Sequence, residues 1–156
     1  MGGYAGEGEG GRTMREIKYR AWVIGSKLVG YHGMSDSRFA GIEEQEMMID
    51  VRGVSFRDGK IEFVTDREGD EYSFADGTLI AVRQYTGLKD KSGAEIYEGD
   101  ILLYTSPIAS RSKNRVICEF ENGCFLFGGF TTDYVTANGK VIGNIYENPE
   151  LLEVAE

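Results

Sequence analysis

Histidine is nearly absent from this chain, with His32 standing alone, and cysteine and proline occur only twice each. These scarcities exclude chemistry. A structural zinc ion needs about four nitrogen or sulfur ligands, and Cys118 and Cys124 lie far in sequence from the one histidine. His32 has no legible nucleophile or orienting acid near it, so it reads as a loop residue. Cys118 and Cys124 flank a tight hairpin across which they could face each other, although two small hydrophobes in a reducing compartment fit as well. No cofactor or metal is expected. Apolar runs approaching the ~20 residues that span a bilayer are also missing, as is a basic-then-apolar leader. The expectation is a cytoplasmic protein with no membrane partner.

Positive charge is the minority sign. Seventeen basic residues face 26 acidic ones, for a net charge of -9. Such a balance opposes unsteered binding to phosphate backbones and reads first as solubility through self-repulsion. The acids are scattered rather than arrayed, which weakens the alternative of a DNA-mimicking surface.

What the chain has in quantity is glycine (22), tyrosine (9) and phenylalanine (8). Aromatic side chains stand well on pleated sheets, and glycine permits sharp reversals. Residues 1–13 are half glycine with no apolar period, and they read as a disordered leader or tag ahead of Met14. IKYRAWV, at 17–23, favours a strand that turns at Gly25-Ser26 and returns through 27–31. Residues 42–50 (IEEQEMMID) fit either a short helix or a strand. A meander follows, with Asp58-Gly59 between alternating runs as its strongest hairpin signal. Ala75-Asp76-Gly77, Glu121-Asn122-Gly123 and Asn138-Gly139 mark further turns. Asn148-Pro149 opens a short terminal helix, since proline at the first helical position forfeits no bond. The organisation expected is a leader (1–13), an N-terminal β-meander (14–83) and a second β-rich part (84–156), mainly β throughout.

The most chemistry-like stretch is QYTGLKDKSGAEIYEGDI, residues 84–101. Asp90, Glu95, Glu98 and Asp100 resemble acid–base groups or cation ligands. Their spacing is not that of an EF-hand loop, and one local loop seldom brings two carboxyls together for acid–base work. Gly99-Asp100 before an apolar strand suits a barrel corner: glycine bends the chain, and aspartate bonds backbone N–H groups.

This segment resembles the signature of the YopX family of phage and prophage proteins. Its matching residues include Tyr85, Thr86, Gly87, Leu88, Asp90, Gly93, Ile96, Tyr97, Glu98, Gly99 and Asp100. Lys18-Tyr19-Arg20-Ala21-Trp22 resembles the family's opening strand, and residues 141–151 (VIGNIYENPEL) its closing element. The resemblance implies a β-rich fold with an SH3-type barrel, phage ancestry, a bacterial host cytoplasm and homo-oligomeric assembly. It carries over no catalytic residue. A non-enzymatic accessory protein that binds a phage or host protein, or itself, is therefore expected. The alternative is a nucleic-acid-associated regulator that uses the basic loop residues Arg111, Lys113 and Arg115, or else an acidic mimic surface.

Overall fold

The computed structural model of the chain describes residues 14–29, 41–105 and 113–153. The glycine-rich leader, His32, Arg111 and the Lys113 side chain lie outside the described residues.

The chain is mainly β, and its sheet curls into a half-barrel, in agreement with the expected class. The first sheet has the order β2-β1-β6-β7, from β1 (Tyr19–Val29), β2 (Gly41–Asp50), β6 (Leu79–Lys89) and β7 (Glu95–Tyr97). β3 (Gly53–Arg57), β4 (Lys60–Thr65) and β5 (Glu71–Ser73) form a second sheet in sequence order. β12 (Lys140–Asn144), β8 (Asp100–Thr105) and β9 (Lys113–Ile117) form a third. β10 (Glu119–Glu121) and β11 (Cys124–Leu126) make a separate hairpin. Helix α1 spans Thr132–Asn138, and a 3-10 turn, Pro149–Leu152, closes the described chain.

Alternation explains how β1 sits. Ala21 and Val23 point inward and are fully buried, while Trp22 and Ile24, which alternate with them, are only half-buried. Ala21, Val23, Leu79 and Val64 form one core, covered by Met47, Ile49, Val54, Ile61 and Tyr72 from β2 to β5. A second core gathers Ile96, Leu102, Val116, Cys118, Phe127 and Val135.

Local signals held at the two-residue hairpins. Asp58 and Gly59 have φ of 52° and 76°, and Asn122 and Gly123 have 53° and 81°, the pair of positive φ values that a type I′ turn requires. The expected reversal at Gly25-Ser26 does not form. β1 continues through both residues, and Gly25 pairs with Gln45 of β2. Long-range pairing overrides the turn propensity there, and the missing side chain leaves room for Met47. The ambiguous 42–50 run is the partner strand, and no helix forms in it. β9 and β10 are separated at Cys118, whose N–H donates to the Asp100 carbonyl and whose own carbonyl accepts the Gly99 N–H. Cys118 is therefore buried and Cys124 exposed, both as free thiols. Helix α1 has no counterpart in the sequence reading; Thr131 caps it by accepting a bond from the Tyr134 N–H.

Candidate functional site

The signature segment leaves the end of β6, turns back as β7 and enters β8. Each of its three glycines, Gly87, Gly93 and Gly99, has positive φ (83°, 88° and 85°). Gly99 is the most constrained. A Cβ there would lie 3.3 Å from the Tyr146 ring and 3.6 Å from Arg83 Nε. The expected barrel corner thus closes around an arginine that sequence reasoning missed.

Arg83 is 2% exposed and Asp100 5%. Arg83 Nη2 donates to Asp100 Oδ1 in a buried ion pair. Arg83 Nε donates to the Glu98 carbonyl at 2.7 Å, and Nη1 reaches Met48 Sδ at 3.7 Å. Asp100 Oδ2 accepts the Tyr97 N–H at 2.7 Å. The aspartate is therefore the expected backbone cap and also a counter-ion. Burial pushes its carboxyl up, against the lowering pull of Arg83 and the Tyr97 amide. Arg83 sits directly opposite Arg20 across the β1–β6 ladder, a repulsive register. Each has its own acid: Arg20 Nε meets Asp50 at 3.1 Å. The Tyr97 ring takes both cations, with the guanidinium carbons 4.8 and 5.8 Å from its centroid. The signal for Arg83 was available, since it lies on the inward phase with Leu79 and Tyr85.

Asp90 organises the turn. Its Oδ1 accepts from the Ser92 N–H, the Ser92 hydroxyl and the Ala94 N–H, each at 2.9 Å. Its Oδ2 accepts the Val141 N–H at 2.8 Å, which bolts the turn to β12. Burial alone would raise this carboxyl, but the four donors outweigh it and hold it below its ordinary range. Thr86 Oγ1 donates to the Ile96 carbonyl at 2.8 Å and accepts the Leu88 N–H. Tyr85 and Tyr97 stand 5.4 Å apart across β6–β7, and Lys18 lies over Tyr85 while pairing with Glu95 at 2.7 Å. Leu88 and Ile96 belong to the second core. Glu98 acts through its backbone, with its N–H bonded to the Gln84 carbonyl.

The closing element answers the corner. Asn144 Oδ1 accepts the Tyr146 and Glu147 N–H groups, and Trp22 stacks on Tyr146 at 6.2 Å. The three stretches that carry the resemblance thus meet around Arg83. Every carboxylate oxygen of Asp90 and Asp100 bonds to this chain's own backbone or side chains, an arrangement that fixes the local geometry. Of the basic loop trio, Arg115 is described: its Nη1 donates to the Leu151 carbonyl at 2.6 Å.

No curated protein matches the chain. The crystal structure of protein EF1440 from Enterococcus faecalis is similar to it, with 25% identity and a TM-score of 0.51 over 90% of this chain and 100% of that one. The family described as YopX protein matches residues 18–153. That span runs from Lys18, just ahead of β1, to just beyond the 3-10 turn, and the chain belongs to the YopX family.

Proposed function

We propose that this is a phage or prophage accessory protein of the bacterial cytoplasm that works by binding a protein partner or further copies of itself, rather than by catalysis. The observation that carries the reading is the state of the sheet edges. Among the described residues β2 and β9 each pair on one side only, and the β10–β11 hairpin pairs with no other strand. Unpaired edges are templates for added strands. Asp90 and Asp100 support the same reading, because their carboxylate oxygens are already bonded within the fold.

Size-exclusion chromatography with light scattering tests self-assembly, and a tagged pull-down from phage-infected cells tests a foreign partner. A strict monomer that retains nothing in the pull-down would sink the proposal. Retention of labelled DNA or RNA across a salt series would favour the nucleic-acid alternative instead.

A further inference from the structure

Two grooves meet on the outer side of the β8–β9 strands. One, of about 680 Å³, runs between those strands and the 3-10 turn, with Leu103, Ile117, Leu151 and Leu152 in its lining. The other, of about 380 Å³, lies beyond Cys118 and is lined in part by Phe120, Ile145 and Tyr146. Ile117 and Glu119 line both, so the two adjoin along the β9–β10 run, and we call them together the trough. Its apolar ends are open: Phe120 is 51% exposed and Leu152 40%. The trough follows β9, one of the two edge strands of its sheet.

Charge identifies what fits. Glu98, Glu119, Glu121 and Glu153 stand along the trough, against Arg115 as the cation of its lining. The Arg115 guanidinium already donates to the Leu151 carbonyl, which holds the 3-10 turn over the sheet. A second copy presenting the same face would set glutamates against glutamates, a repulsion that disfavours self-pairing here. An added strand points alternate side chains toward and away from the surface it lies on. We infer that this trough docks an extended segment of a different protein, one that alternates apolar residues with lysine or arginine and adds to the β9 edge. The apolar residues enter the trough, and the cations, which leave the strand on its other side, reach back on their long side chains to Glu119, Glu121 and Glu153, exposed at the rim. The inference rests on the protein-binding reading above and specifies the surface and the partner's chemistry.

The test uses the full chain and fluorescence anisotropy with a labelled alternating Val/Lys decapeptide, with Val/Glu and Ser/Lys decapeptides as controls. The Val/Lys peptide is expected to bind about tenfold or more tightly than either control, and the Phe120→Ser, Leu152→Ser double variant to lose about tenfold, the size of effect that removing exposed apolar anchors produces. Circular dichroism checks that the variant folds. Glu119→Lys with Glu121→Lys should shift preference toward Val/Glu. Equal binding of Val/Lys by wild type and variants, or equal binding of Ser/Lys, overturns the inference. So does an oligomer that becomes monomeric on the Phe120→Ser, Leu152→Ser change, since the face is then a self-interface; that outcome leaves the broader protein-binding reading standing. Failure of the broader reading has its own signature, a strict monomer with an empty pull-down.

Discussion

Asp100 and Asp90 both sit in turns, yet their environments make different demands. Asp100 faces an arginine with almost no access to water. Removing the acid alone leaves that cation buried without a partner, so Asp100→Ala is expected to cost about 3–5 kcal/mol in urea unfolding. Replacing both members with apolar residues (Arg83→Met with Asp100→Leu) should recover most of the loss, because a matched buried pair is worth little more than well-packed hydrophobes. A double variant as unstable as the single one would show that Asp100 matters chiefly through the Tyr97 amide. Asp90 offers a pH test. Its folded carboxyl is held below the ordinary value, so it contributes stability above the unfolded value of about 3.9, and the contribution is lost as pH falls through the lower folded value. Asp90→Asn should cost about 1–3 kcal/mol at neutral pH, because an amide nitrogen must then face a backbone N–H. The gap between wild type and variant should narrow below about pH 4, and a constant gap would count against the bonded carboxylate. The acids of this site were legible as turn residues because their turn partners lie within a few positions. Arg83 could be placed on the inward phase of its strand, but not its counter-ion, because that partner lies 17 positions away.

At the scale of elements, the hairpins with Asp-Gly and Asn-Gly centres could be read directly, since the dihedral requirement is local. β1 could not be followed past Gly25, because its partner begins at Gly41 across residues with no pairing signal. Helix α1 is a single short run whose one buried residue is Val135, too few apolar positions to show a period. The closing element depends on Gly143. A Cβ there would lie 2.5 Å from Asn148 Oδ1 and 2.9 Å from Leu151 Cδ1. Gly143→Ala is expected to displace the 3-10 turn and to cost about 1–3 kcal/mol, the usual penalty of overpacking. Thermal melts would check the loss, and amide chemical shifts should change most over residues 144–152. Shifts confined to β8 would mean that the turn yields without moving.

For the molecule as a whole, β6 is shared. Leu79 and Val82 serve the first core, and Leu88 the second; the expected boundary after residue 83 falls inside this strand. We expect one cooperative transition. Trp22 reports on the first core's sheet and on its stacking with Tyr146. Cys118 reports on the second, since burial pushes its thiol up to about 12, and reaction with a thiol reagent needs the thiolate. Loss of Trp22 fluorescence and gain of Cys118 reactivity should follow the same urea curve, with the exposed Cys124 first replaced by serine. Two separated curves would instead define two units.

The buried ion pair also has a consequence for synthesis. A chain leaves the ribosome from its N-terminus, so all of β1 to β6 emerges while Arg83 still has no counter-charge. The first sheet cannot then close dry around that guanidinium, and its completion waits for Asp100. The pair is in effect a latch thrown from downstream, which keeps an early half-fold from becoming final. A fragment of residues 14–99 should accordingly give a poorly dispersed amide spectrum, and a well-dispersed one would mean that the latch is not needed.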